Sequence, residues 1–208
     1  MSGNSINAMW FPLSAAQKSR WFSYQLDPEG QGAHNNAFAL RIRGDIAPEF
    51  LKKVVHALLK RHPMLRATFR LHEGKPEQSI ADVFENPLQV FDLREADQNE
   101  IRKTIHAESV RAFELTRSPL MRVNLFLVDD EEAVLQLVLD HIISDGWSYW
   151  ILLDELTESL SLFEYEIEVD DAHDAESSYF EYVAWQQQWL DSTEASKQWH
   201  YWEGMLSH

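Results

Sequence analysis

The apolar residues of this chain change their spacing repeatedly, and that alternation constrains the fold more than any other feature. From Asn36 to Arg43 they take every second position: Phe38, Leu40 and Ile42 share one face, and Arg41 and Arg43 the other. A period of two marks a half-buried strand. From Pro48 to Arg61 the spacing becomes helical, with Leu51, Val54, Val55, Leu58 and Leu59 on one stripe and Pro48 suited to the first turn. This helix stops at His62, because the residue before Pro63 is pushed out of helical conformation. Leu65 to Leu71 then alternates again, with Arg66, Thr68 and Arg70 on the polar side.

The same reading covers the rest of the chain. Ser14 is a good N-cap for a helix through Trp21 and Phe22. A hairpin is expected around Gly74, a short strand at Leu88–Leu93 and an amphipathic helix over Asp97–Phe113. Two stronger strands, Leu120–Val128 and Ala133–Asp140, flank the polar turn Asp129-Asp130-Glu131-Glu132. A helix beyond Asp145 carries Ile151, Leu152, Leu156, Leu160 and Phe163. Asp170 to Glu176 reads as a solvated acidic loop, and Tyr179 to Leu206 as helix dense in aromatics. Helices interspersed with neighbouring strands predict an α/β fold, a mixed-sheet α/β sandwich. The seven glycines and seven prolines are scattered, so no linker divides the chain.

Composition narrows the function. With 18 basic and 34 acidic residues among 208, the formal net charge is −16. That excess repels phosphate backbones and anionic bilayers, so neither nucleic acid nor membrane is an expected partner. The absence of cysteine removes disulfides, thiolate metal sites and thiol nucleophiles, and fits a reducing, cytoplasmic setting. The first residues, Met1 to Ser5, have neither the basic segment nor the apolar core of a signal peptide.

Chemistry concentrates in Asp140-His141-Ile142-Ile143-Ser144-Asp145-Gly146-Trp147-Ser148. A buried strand ends at a histidine, a short loop follows, and a helix starts near Asp145. Alternation along the strand sends Asp140 away from His141. An imidazole there can hold a proton near neutral pH, and unpaired N–H groups at Gly146 can face a developing oxyanion. On spacing alone, two readings stand: a proton-transfer site, or a satisfied core histidine with Asp145 merely capping the helix. No metal site is expected. His141 and Asp145 lack further ligands, and His56 and His62 do not share a helix face. Ser144 and Ser148 lack the Gly-x-Ser-x-Gly elbow of a hydrolase.

Three segments, in order, resemble the condensation domains of nonribosomal peptide synthetases. Ser14-Ala15-Ala16-Gln17-Lys18-Ser19-Arg20-Trp21-Phe22, with Gln25-Leu26-Asp27-Pro28, is similar to the first core motif. Arg61-His62-Pro63-Met64-Leu65-Arg66-Ala67-Thr68-Phe69 is similar to the second. The segment Asp140–Ser148 is similar to the third, usually His-His-x-x-x-Asp-Gly. The resemblance implies a chloramphenicol-acetyltransferase-like lobe over residues 11–208 after a tail over 1–10, the C-terminal lobe being absent. It implies a tunnel site between lobes, with no cofactor of the lobe's own. Donor and acceptor carrier proteins bring thioesters to it on phosphopantetheine arms, within a larger set of synthetase modules.

By the same resemblance, His141 matches the histidine that positions or deprotonates the attacking amine. Gly146 sits beside the thioester, and Asp145 forms a structural ion pair with Arg66. Trp147, Ser148 and Ser144 are candidates for the tunnel wall. Asp140 departs from the pattern, standing where the family has its first histidine. Asp140, Asp145 and Ser148 also satisfy Asp-x-x-x-x-Asp-x-x-Ser, the signature of heterocyclization domains, so cyclodehydration is the alternative to simple amide formation. A further alternative is a docking lobe that is catalytically incomplete by itself.

Overall fold

The computed structural model describes residues 9–27, 30–44, 47–163 and 179–207. The acidic stretch Asp170–Glu176 lies outside the described residues.

In chain order the elements are β1 (Phe11–Pro12), α1 (Ala15–Leu26), β2 (Asn35–Arg43), α2 (Pro48–Arg61), β3 (Ala67–His72), β4 (Lys75–Ile80) and β5 (Leu88–Asp92). There follow α3 (Gln98–Val110), β6 (Met121–Leu127), β7 (Glu132–Asp140), α4 (Gly146–Phe163), α5 (Tyr179–Leu190) and α6 (Thr193–Leu206). The main sheet has the order β2-β7-β6-β5, and a smaller one the order β1-β4-β3. In the main sheet β5 runs parallel to β6, while β2–β7 and β6–β7 are antiparallel. The expected mixed-sheet sandwich is what the chain forms.

β7 is the centre of this layering, because it is buried on both faces. Leu135, Leu137 and Leu139 point to one layer, packed with Val54, Val55 and Leu58 of α2 and Leu152 and Leu156 of α4. Val138 points to the other, where Leu13, Trp21, Phe69, Leu115 and Leu120 gather. Burying one such leucine contributes about 1.5–3 kcal/mol, so register here is strongly fixed. Gln136 also belongs to the second face, and its needs are met inside: Asn124 Nδ2 donates to Gln136 Oε1 at 2.9 Å, and Gln136 Nε2 donates to the Ile105 carbonyl at 3.0 Å.

Several elements differ from the sequence expectation: the helix expected to run to Phe113 ends at Val110, and the short strand β1 is an addition. The strand expected from Leu65 starts at Ala67, because Pro63–Arg66 closes into a 3₁₀ turn in which Leu65 N–H reaches the His62 carbonyl at 3.0 Å. The aromatic C-terminal stretch is two helices. Ser192 ends their continuity by capping α6, its hydroxyl accepting from Ala195 N–H at 3.2 Å. The expected hairpin forms between β3 and β4. Glu73 and Gly74 have φ of 49° and 77°, the left-handed pair that matches strand twist in a two-residue turn.

α5 returns to the beginning of the chain. Phe180 stacks on Phe11 at 3.9 Å, and Tyr179 donates to the Ser14 hydroxyl at 2.9 Å. Among the described residues, no helix is long and apolar enough to cross a membrane.

Candidate active site

The third motif is held by the first. Ser14 and Gln17 form a reciprocal capping box at the start of α1: the Ser14 hydroxyl accepts from Gln17 N–H at 3.1 Å, and Gln17 Oε1 accepts from Ser14 N–H at 3.0 Å. The Gln17 amide is buried. It pairs reciprocally with Gln78 at 2.9 and 3.0 Å and also reaches the Ile142 carbonyl at 3.3 Å. One turn further along, Arg20 donates through Nε and Nη2 to the Asp140 carboxylate, at 3.1 and 2.6 Å. Both side chains are buried, and Asp140 has no exposed surface at all. A bidentate guanidinium–carboxylate pair is the arrangement that makes such burial tolerable.

Asp140 then organises the turn that follows it. Its Oδ1 accepts from Ile142 N–H at 2.8 Å. Its carbonyl accepts from the Ser144 hydroxyl at 3.0 Å and from Ile143 N–H at 3.2 Å. Asp140 therefore faces the interior, opposite to the odd-numbered leucines, as alternation required.

His141 lies one residue past the strand and is exposed. Its backbone N–H is tied to the His34 carbonyl at 3.1 Å. Its ring Nδ1 is 2.7 Å from the Ser144 carbonyl. A carbonyl can only accept, so the proton sits on Nδ1; the Asn36 amide nitrogen lies 3.1 Å from the same ring nitrogen. Nε2 keeps its lone pair and has no hydrogen-bond partner among the described residues. The ring is thus an oriented base at the surface.

Asp145 caps α4. Its Oδ1 accepts from Ser148 N–H at 2.9 Å and from the Ser148 hydroxyl at 2.8 Å, while Asp145 N–H donates back to Ser148 Oγ at 3.1 Å. The Ser148 N–H, then its hydroxyl, hold the Asp145 carboxyl below the usual range. The expected ion pair between Asp145 and Arg66 does not form among the described residues. Because Arg66 ends a 3₁₀ turn instead of lying in a strand, its Nε donates to the Leu59 carbonyl at 2.8 Å and its Nη1 to the Ala81 carbonyl at 2.6 Å. Its guanidinium also lies over the Phe84 ring. Burial lowers its pKa.

Gly146 opens α4, and a Cβ placed on it meets no atom within 4 Å. Trp147, at 78% exposure, stands next to it, with Trp150 and Ile151 exposed on the following turn. Of the other tunnel-wall candidates, Ser144 is buried and contributes its carbonyl to His141, and Ser148 is committed to Asp145. Tyr149 donates to the Asn36 carbonyl, and burial raises its pKa. Sequence reasoning missed Arg20, Asn36 and Gln17 as parts of this site. The available signal was Asp140 itself: a carboxylate ending an apolar strand needs a cation, and Arg20 stands in the first motif.

Among known proteins, the family model described as "Condensation domain" matches residues 7–208. Malpinin synthetase of Mortierella alpina is 33% identical over 198 residues, which is 94% of this chain and 2% of that protein. Surfactin synthase subunit 1 of Bacillus subtilis (strain 168) is 32% identical over 192 residues, covering 92% of this chain and 5% of that one. The solved starter condensation domain of rhizomide synthetase RzmA superposes with a TM-score of 0.82 at 22% identity, over 97% of this chain and 48% of its own. The first condensation domain of the calcium-dependent antibiotic synthetase, in complex with a substrate analogue, gives 0.82 at 21% identity, over 97% and 50%. The chain spans about half the length of these solved domains and a few per cent of the synthetases it matches.

Proposed function

This chain belongs to the condensation-domain family, and from that premise we propose that it supplies the histidine-bearing half of an amide-forming acyl-transfer site. The substrates are two thioesters on the phosphopantetheine arms of carrier proteins, in a cytoplasmic nonribosomal peptide synthetase. The amine of the acceptor aminoacyl thioester attacks the carbonyl of the donor acyl thioester. A C–N bond forms, the C–S bond to the donor arm breaks, and the amine proton passes to the departing thiolate. His141 Nε2 orients the amine and takes that proton. The Gly146 N–H, which opens α4, favours negative charge on the carbonyl oxygen, and Trp147 lines the approach to it.

The observation that carries this reading is the exposed His141 ring with Nδ1 committed to the Ser144 carbonyl and Nε2 left as a base. Asp140 is accounted for by its pairing with Arg20. With the family match, this favours amide formation over heterocyclization. Because the solved condensation domains are about twice as long, we expect transfer to require their other half, and the isolated 208 residues to be inactive. The test is His141→Ala in the full-length domain, assayed by peptide transfer between loaded carrier proteins. A fall of about 10²–10⁴-fold is expected for loss of a positioned base. Undiminished transfer would remove His141 from the mechanism.

A further inference from the structure

The most unusual group in this site does not touch its chemistry. Asp140 is a fully buried carboxylate at the end of an apolar strand. Three links run in series. Arg20 fixes the carboxylate by two hydrogen bonds. The carboxylate and carbonyl of Asp140 fix the turn, through Ile142 N–H and the Ser144 hydroxyl. The turn presents the Ser144 carbonyl to His141 Nδ1 at 2.7 Å. A second hold from α1, Gln17 on the Ile142 carbonyl, keeps the same turn from sliding.

We infer that Asp140, clamped by Arg20, is a positioning residue that selects the His141 tautomer, with the proton on Nδ1 and the lone pair on Nε2. This rests on the reading of His141 as the base. A neutral imidazole has two tautomers, and the one present is set by the partner of the other nitrogen. Here that partner is a backbone carbonyl, so its position depends on whatever shapes the turn. Without the carboxylate, Ile142 N–H and the Arg20 guanidinium lose their shared acceptor, the turn relaxes, and the Ser144 carbonyl leaves Nδ1. Both tautomers then populate, and the lone pair is on Nε2 only part of the time.

The test reads the tautomer directly. The 208-residue chain is labelled with ¹⁵N-histidine, and long-range ¹H–¹⁵N correlation spectra are recorded at mildly basic pH. The His141 resonances are identified by their loss in His141→Ala. The wild type is expected to show the single Nδ1–H form at His141. Asp140→Asn is expected to show a mixture, with the other histidines unchanged. In the full-length domain the same substitution lowers kcat about a hundredfold at unchanged KM, as a misplaced reacting group does. Ser144→Ala, which removes only the hydroxyl tie to Asp140, is the milder variant and is expected to move the tautomer in the same direction. If Asp140→Asn fails to fold, Ser144→Ala decides. A folded variant of either kind that keeps the wild-type tautomer overturns the inference. Transfer that survives His141→Ala, with the tautomer still responding, overturns the reading of the base and leaves the positioning intact.

Discussion

Glu155 on α4 accepts from Arg61 Nη1 at 2.9 Å and from His62 Nε2 at 3.0 Å, so one carboxylate holds the last residue of α2 and the residue after it. The first two residues of the second motif therefore act between helices rather than on substrate. They lock α2 and α4 onto the same face of the sheet and thereby fix where the N-terminus of α4 points.

Replacing Glu155 with alanine should lower stability by about 1–2 kcal/mol, since its carboxylate loses both contacts and the three side chains are only 21–28% exposed. Thermal unfolding followed by circular dichroism measures it. An unchanged midpoint would show that the contact does not persist in solution.

Asp145 should matter to stability through its cap. Asp145→Ala is expected to cost about 1 kcal/mol at neutral pH. The sign with pH follows from the depressed folded pKa: the carboxylate stabilises fully above its ordinary value of 3.8, and the contribution is lost as pH falls through the lower folded value. The gap in urea midpoint between wild type and variant should therefore narrow as pH falls below 3.8 and close only below the lower folded value. A gap that does not narrow over that range would contradict the carboxylate cap.

Arg66 and Asp145 should behave independently. Each has its own partners, two carbonyls for Arg66 and Ser148 for Asp145. In a double-mutant cycle with Arg66→Met and Asp145→Asn, the unfolding free energies should add to within about 0.5 kcal/mol. A larger coupling would restore the ion pair expected from the family pattern.

The aromatic surface of α5 and α6 should make the chain self-associate. Trp185, Trp199 and Trp202 are all more than half exposed, and apolar patches of this kind drive association. The net charge of −16 opposes it at low salt. Sedimentation velocity should show association growing with concentration and with ionic strength, as screening removes the repulsion. Trp185→Ser together with Trp202→Ser should weaken it. A strict monomer at high concentration and high salt would count against the patch.

Much of the fold was legible because local and global preferences agree. The helix Pro48–Arg61 has its proline at the start, its apolar stripe and its terminating Pro63 in the sequence itself, and the structure adds only what the stripe packs on. β7 was legible for a related reason: a run apolar from Ala133 to Leu139 at every position but Gln136 has a place only in the middle of a sheet. The start of β3 was not legible. Alternation over Leu65–Leu71 is satisfied equally by a strand that begins two residues later, and the turn that Pro63 imposes decides the matter. The partner of Asp140 was hidden for another reason, since Arg20 lies 120 residues away and no periodicity records a contact across that distance.

The order β2-β7-β6-β5 places the first strand of the main sheet beside its last. During synthesis, Phe38, Leu40 and Ile42 leave the ribosome long before residues 132–140 exist to pair with them. Until then the nascent chain carries a sticky ribbon with no neighbour. Closing a ladder over so long an intervening stretch is slow and leaves time for wrong partners. A synthetase carrying this segment thus has a window of vulnerability in translation, and a pause or a nascent-chain chaperone acting after residue 43 and before residue 140 would govern how much of it reaches the native sheet.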